Sequence, residues 1–159
     1  VNDYRVFLHD SNTIGIVIRK KEEKKGIRNK EILLKSTKTL VTKMGRKRDK
    51  NFVSHIALEK DKRDERGYYP YHIHLVIEDV LQEDRLDILY LLKDSIKGNN
   101  EWIEEDTKSN DISYVCSGKY GKVSIHPIYD ITTFTQGYMR KGGDENYTIF
   151  MSFSSKYND

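Results

Sequence analysis

Apolar residues occur along the chain in short alternating or continuous runs, and these runs predict strands. The two clearest runs cover residues 52–59 and 71–78, and the charged stretch between them predicts an antiparallel hairpin with a long tip. Other runs of the same kind predict further strands at 4–9, 14–19, 114–116, 122–129 and 147–153.

Three segments have a spacing typical of helices. Residues 27–45 carry apolar side chains at loosely helical intervals with basic residues on the other face, and a Leu stripe over 84–97 ends at Gly98. Asp130 is a candidate N-cap for a short helix through Lys141. Strands and helices thus alternate along one domain, residues 1–159. We predict an α+β fold with a largely antiparallel central sheet and helices packed on it.

Length and composition exclude several classes of protein. The 159 residues contain no apolar run long enough to cross a bilayer, and the single Cys116 excludes an internal disulfide and a Cys-rich zinc module. The first residues lack the basic start and apolar core of a secretory signal. We therefore expect an intracellular protein without a membrane partner.

The net charge of +3 hides a marked asymmetry. Residues 19–50 hold 14 Lys and Arg against 4 Asp and Glu, a local charge of +10, whereas the remainder carries −7. Such a block can bind phosphate groups electrostatically and independently of nucleotide sequence, although a solvated helix face has the same composition. The candidate DNA contacts are Lys43, Arg46, Lys47 and Arg48, with Arg140 outside the block.

Two histidines form the first candidate for chemistry. His72 and His74 are two positions apart on a predicted strand, so their side chains project from the same face, roughly 7 Å apart. Two imidazoles at this spacing can occupy two positions around one divalent ion. Because they lie among Ile, Leu and Val, they would be poorly tolerated there without a partner.

A third ligand is expected from the neighbouring strand. If the hairpin is centred near Glu65 and Arg66, Glu59 lies opposite His72, while Glu65 and His55 remain alternatives. Two imidazoles and one carboxylate leave coordination positions open, which is typical of a catalytic site. This donor set would accept Mn²⁺ or Mg²⁺.

A candidate nucleophile lies near the C-terminus. Tyr138 and Lys141 are three positions apart, so a helix would place them on one face. A phenol is a poor nucleophile at neutral pH, but a nearby cation and a metal-polarised phosphate would make its attack feasible. The same spacing occurs at Tyr90 and Lys93, where a Leu-rich helix favours a packing role.

These motifs together resemble the nicking domain of HUH-type rolling-circle replication initiators, especially the Rep proteins of small circular single-stranded DNA viruses and related plasmids. The family's His-hydrophobe-His strand corresponds to residues 72–74, and its upstream carboxylate corresponds to Glu59. Its Tyr-x-x-Lys motif, followed closely by Gly-Asp, corresponds to Tyr138, Lys141, Gly143 and Asp144. The similarity covers about residues 52–144, and the family's N-terminal Phe-Leu-Thr-x-Pro motif is not matched.

The resemblance implies a ferredoxin/RRM-like HUH endonuclease domain, a metal-dependent nickase and nucleotidyltransferase that recognises a sequence. His72, His74 and Glu59 would hold the metal, and Tyr138 would attack the scissile phosphate, leaving a 5′-phosphotyrosine and a free 3′-OH. Lys141 would hold Tyr138 or stabilise charge on the phosphate.

The implied partners are single-stranded DNA at a replication origin, which a stem-loop would present, and a helicase. The helicase would be a further domain or a host protein, because no Gly-x-x-x-x-Gly-Lys loop occurs here. The expected compartment is the host nucleus for a virus of eukaryotes and the cytoplasm for a phage or plasmid.

Three other interpretations remain. A single-tyrosine HUH transposase of the insertion-sequence type has similar chemistry, but it usually carries Gln four positions after the Tyr, where this chain has Gly142. A non-catalytic nucleic-acid-binding module would use the histidines structurally and the tyrosines for base stacking. A plain interaction domain would not bind single-stranded DNA in a salt-sensitive way.

Overall fold

The structure is a computed structural model, which describes residues 11–20, 29–60, 71–106, 112–136 and 147–155. Within these ranges the chain forms seven strands and three helices. In chain order they are β1 (Thr13–Lys20), α1 (Asn29–Arg48), β2 (Val53–Lys60), β3 (Tyr71–Ile77), α2 (Gln82–Ser95), β4 (Ile103–Asp106), β5 (Ile112–Ser117), β6 (Gly121–Ile128), α3 (Ile131–Gln136) and β7 (Tyr147–Ser154).

The strands form one antiparallel sheet in the order β4-β5-β6-β1-β3-β2-β7. The predicted α+β fold with a central antiparallel sheet is confirmed. β4 was not predicted, because its sequence Ile-Glu-Glu-Asp lacks an apolar alternation. It is an edge strand whose Ile103 is 64% exposed, so burial imposes little pattern on it. The strand predicted at 4–9 lies outside the described residues.

One face of the sheet forms the main core together with α1 and α2. Alternate residues of the central strand, Ile14, Ile16 and Ile18, are buried here among apolar side chains of the neighbouring strands. The buried stripe of α1 has the spacing of one helix face, and its members are Leu33, Thr37, Leu40, Val41 and Met44. The basic residues of α1 therefore lie mainly on its outer side.

The opposite face of the sheet carries the shorter helix α3. Ile131 and Phe134 of this helix pack against a small apolar cluster of Ala57, Val76 and Ile128. As predicted, Asp130 caps the helix: its carboxylate accepts hydrogen bonds from the backbone N–H of Thr133 at 3.1 Å and from the Thr133 hydroxyl at 2.8 Å. The rest of the predicted helix, through Lys141, lies outside the described residues.

A buried carboxylate joins the end of α1 to the start of α2. Asp84, whose side chain is 4% exposed, accepts hydrogen bonds from Arg48 Nε and Lys50 Nζ, both at 2.9 Å, and from the backbone N–H of Leu81 at 3.0 Å. Burial alone would raise the pKa of Asp84, but the hydrogen bonds from Lys50 and Arg48 outweigh it. The pKa is therefore lowered from its ordinary value.

We predict that Asp84→Asn lowers the free energy of unfolding by about 3 kcal/mol at pH 7, because it leaves two cations without their buried partner. Since the folded-state pKa of Asp84 is lowered, its stabilisation is present above the ordinary value of 3.8 and is lost as the pH falls through the folded-state value. The difference between variant and wild type should therefore shrink in acid. Urea unfolding at pH 7 and in acid measures both effects.

Asp94→Asn is the matched control, because the Asp94 side chain is 76% exposed and its ion pair with Lys97 is long, at 3.7 Å. It should change stability by less than about 0.5 kcal/mol. Equal stability of Asp84→Asn and wild type at pH 7 would contradict the role given to Asp84.

Candidate metal centre

The candidate site lies on the face of the sheet that carries α3, at the end where β1 and β2 finish and β3 begins. Glu59 on β2 is the register partner of His72 on β3, as the sequence predicted. His74 lies two residues further on, opposite Ala57, so its side chain leaves the sheet on the same side. The pairing of β2 with β3 thus brings one carboxylate and two imidazoles together.

The three side chains converge on one point. The Nε2 atoms of His72 and His74 are 3.1 Å apart, and Glu59 Oε2 lies 3.5 Å from the first and 3.3 Å from the second. Both histidines are buried, and the Glu59 side chain is 14% exposed. Glu59, His72 and His74 therefore form a group that could hold a metal ion, named here the metal triad.

The distances between donor atoms fit the coordination sphere of a small divalent ion. Two ligands at about 2.1 Å from one ion are separated by about 3.0 Å in an octahedron and about 3.4 Å in a tetrahedron. Two of the separations in the metal triad, 3.1 and 3.3 Å, lie within this range, and the third, 3.5 Å, lies just above it. Two imidazole nitrogens and one carboxylate oxygen also suit a site that keeps positions open for water or substrate.

An irregularity in the sheet lies beside the carboxylate. In the pairing of β2 with β7, Leu58 lies opposite Ile149 but Glu59 lies opposite Tyr147, so β7 has one extra residue at this point. Such bulges bend a strand locally and change the direction of nearby side chains. Sequence reasoning did not predict this feature, because the partly continuous apolar run of β7 does not reveal where its alternation is interrupted.

A glycine opens the middle of the same face for a third histidine. Gly15 on β1 is the register partner of both Val76 and His126, and a Cβ at Gly15 would lie 2.5 Å from Cε1 of the His126 ring. The imidazole of His126 therefore extends over the central strand, and its centroid lies 5.8 Å from that of the Phe134 ring in α3. Close approach at Gly15 thus helps to seat α3 on this face.

His55, one of the alternative third ligands, has different partners. It lies opposite Val76, and its ring nitrogens contact Glu78 Oε2 at 2.7 Å and Ser152 Oγ at 3.1 Å. His55 is not among the side chains that converge in the metal triad. Glu65, the other alternative, lies outside the described residues.

Two basic residues extend the row that contains His72 and Glu59. Arg19 on β1 is the register partner of His72, and Lys122 on β6 is the register partner of Arg19. The row Lys122-Arg19-His72-Glu59 therefore crosses four strands on one face. Sequence reasoning did not select Arg19 or Lys122, because their position depends on the pairing of β1 with β3 and β6, which local sequence does not specify.

The basic residues predicted to contact DNA from α1 lie elsewhere. α1 packs on the face opposite the metal triad, where Lys43, Arg46 and Lys47 are exposed. Arg48 contacts Asp84 and Asp87, each at 2.9 Å, so its charge is compensated within the protein, which disfavours a DNA contact. The structure does not bring this part of the basic segment to the metal triad.

Three predicted site residues, Tyr138, Arg140 and Lys141, lie outside the described residues, together with Gly143 and Asp144 of the same motif. Their predicted roles stay predictions. The other tyrosine of this spacing, Tyr90 of α2, is described and is 55% exposed.

Comparison of the chain with protein-family models, with curated proteins and with solved structures found no match. In the part of the chain that the structure describes, no helix combines the length and apolar character needed to cross a membrane.

We predict that the protein binds one Mn²⁺ ion per chain in isothermal titration calorimetry. Glu59→Gln, His72→Ala and His74→Ala should each weaken binding by at least about tenfold, because each removes one donor atom from the site. His55→Ala is the control, since His55 lies on the same face but contacts Glu78 and Ser152, and it should bind Mn²⁺ like the wild type. Equal affinity of the wild type and the three triad variants would exclude this site.

Proposed function

We propose that this chain is an HUH-type endonuclease and strand-transferase, which nicks single-stranded DNA at a replication origin through Tyr138. The observation that carries the proposal is the convergence of Glu59, His72 and His74 within a sheet, with donor atoms 3.1–3.5 Å apart. Buried polar groups require partners, and these three lie close enough to contact one another. Their donor atoms also have the chemistry and the spacing that one divalent ion requires, which supports a metal-binding role.

The metal triad would hold Mn²⁺ or Mg²⁺. When bound, such an ion supplies positive charge that polarises a phosphate oxygen and makes the phosphorus more susceptible to attack. Glu59 contributes a negative charge and the histidines are neutral when they act as ligands, so the loaded site keeps a net positive charge. This sign suits a phosphodiester substrate.

The row of residues across the sheet supports a nucleic-acid substrate. Arg19 and Lys122 lie on the strands next to His72, on the same face. Antiparallel strands are about 4.8 Å apart, so the cations continue the row over a distance of the order of one or two nucleotides. Phosphates of a single strand that crosses this row would meet positive charge next to the metal triad.

The position of α3 supports Tyr138 as the nucleophile. This helix packs on the face that carries the metal triad, through Ile131 and Phe134, and its last residue is Gln136. Tyr138 is two residues further along the chain, a distance of at most about 7 Å. The described helix thus lies on the same face of the sheet as the metal triad, which favours Tyr138 as the nucleophile.

The proposed reaction exchanges one phosphoester bond for another. The phenol oxygen of Tyr138 bonds to phosphorus as the bond from phosphorus to the 3′ oxygen breaks. The phenol proton is lost to solvent and the leaving oxygen gains one, so the products are a 5′-phosphotyrosine and a free 3′-OH. Lys141 would stabilise the phenolate and the charge on the phosphate. Since no water is consumed, attack by a 3′-OH on the phosphotyrosine reverses the reaction and joins the strands.

The proposal predicts a covalent protein–DNA adduct. Incubation with Mn²⁺ and a pool of single-stranded oligonucleotides, randomised in sequence and labelled at the 3′ end, should transfer label to the protein, because the downstream fragment stays attached through its 5′ phosphate. The adduct is detected on a denaturing gel. Tyr138→Phe should abolish it, and Glu59→Gln or chelation of the metal should reduce it by at least about a hundredfold.

Tyr90→Phe is the matched control, because Tyr90 has the same Tyr-x-x-Lys spacing in α2 and is exposed. It should form the adduct like the wild type. Absence of an adduct throughout the pool, or an equal adduct with Tyr138→Phe, would refute the assignment.

A further inference from the structure

A second site-like feature lies on the other face of the sheet, between α1, α2 and the end of β1. It is a cavity of about 570 Å³, a size typical of small-molecule sites. Four lysines line it, and we name it the lysine cavity: Lys20 from β1, Lys35 and Lys43 from α1, and Lys97 beyond α2. One carboxylate, Asp94, is also part of the lining, so the formal charge of these groups is +3.

The charge of the lysine cavity is poorly compensated. Asp94 lies 3.7 Å from Lys97, and the ion pairs among the described residues include none that involves Lys20, Lys35 or Lys43. Burial lowers the pKa of Lys20, and the nearby charge of Lys43 lowers it further. An anion among these ammonium groups would relieve their repulsion.

The rest of the lining indicates what kind of anion would fit. Aliphatic side chains of Ile32, Leu40 and Leu91 form one part of the wall. The hydroxyl-bearing residues are Ser36, Thr39 and Ser95. Ser36 and Ser95 donate to backbone carbonyls of their own helices at 3.0 and 2.7 Å, so their oxygens would act as acceptors for a ligand, and Ser36 Oγ also accepts a hydrogen bond from Lys20 Nζ at 3.4 Å. The cavity thus combines cations for a phosphate, hydroxyls for a sugar and an apolar wall for a flat ring.

We propose that the lysine cavity binds a nucleotide phosphate. The phosphoryl group lies among Lys20, Lys35 and Lys43, and the sugar and base contact the hydroxyl and aliphatic parts of the lining. The ligand is either a free mononucleotide or one nucleotide of a single strand, because both present the same phosphate and sugar. This site is separate from the metal triad, since consecutive residues Arg19 and Lys20 of β1 point to opposite faces of the sheet.

The first test is a calorimetric titration with thymidine monophosphate in the presence of a chelator, so that the result does not depend on the metal triad. Thymidine and inorganic phosphate are the comparison ligands. Thymidine monophosphate should bind at least about tenfold more tightly than either, because it alone engages the cations and the apolar wall together. Binding no tighter than that of thymidine or of phosphate would overturn the proposal.

The second test uses two double variants with the same loss of charge. Lys35→Gln with Lys43→Gln removes two exposed ammonium groups from the cavity, and should weaken binding of thymidine monophosphate by at least about tenfold. Lys38→Gln with Lys119→Gln removes two lysines that do not line the cavity, and should leave binding unchanged. An equal effect of the two double variants would show that net charge alone attracts the ligand, and would overturn the assignment.

Binding of an oligothymidylate of eight nucleotides shows whether the natural ligand is a free mononucleotide or one nucleotide of a strand. If the cavity variant weakens its binding as well, and thymidine monophosphate competes with it, the natural ligand is part of a strand. If the variant weakens binding of thymidine monophosphate but not of the oligonucleotide, the ligand is a free nucleotide. If the cavity variant weakens neither, the cavity does not bind nucleotides. Failure of DNA nicking would leave each of these outcomes unaffected.

Discussion

The pairing of β2 with β3 is the constraint on which the candidate site depends. It sets Glu59 opposite His72 and Ala57 opposite His74, so that three donor atoms meet on one face. Side chains alternate along a strand, and a slip of one residue would turn Glu59 into the apolar core and bring a core residue to the histidines. The buried side chains Leu58 and Ile73, which are register partners on the other face, resist such a slip. The apolar core therefore fixes the geometry of the polar site.

Because side chains alternate along each strand, the two faces of the sheet carry different groups. One face carries the long helices and nearly all of the large buried side chains. The other carries a small apolar cluster under α3 and leaves room for the metal triad and the row of cations beside it. The lysine cavity lies on the helical face, at the end of the sheet where β1 finishes. The metal triad is thus held by strands, and the lysine cavity by the end of β1 together with the helices that pack on the core.

The local pattern of apolar and polar residues was sufficient to predict elements that have a buried face, because burial imposes a period on their sequence. It predicted β2 and β3, the partnership of Glu59 with His72 and the cap at Asp130, each of which is confirmed. It missed β4, whose edge position places little demand on apolar residues, and the bulge beside Glu59. The pairing of strands that are distant in sequence could not be predicted from this local pattern either. Arg19 and Lys122 are distant in sequence from His72, and only the order β6-β1-β3 places them in its row.

We infer that Glu59, His72 and His74 hold one divalent ion. Anomalous diffraction from crystals grown with Mn²⁺ tests it most directly, because the signal locates the metal itself. We expect one strong peak about 2.0–2.3 Å from the Nε2 atoms of His72 and His74 and from a carboxylate oxygen of Glu59. Crystals that show no manganese peak between these three side chains, or that place the ion on other ligands, would contradict it.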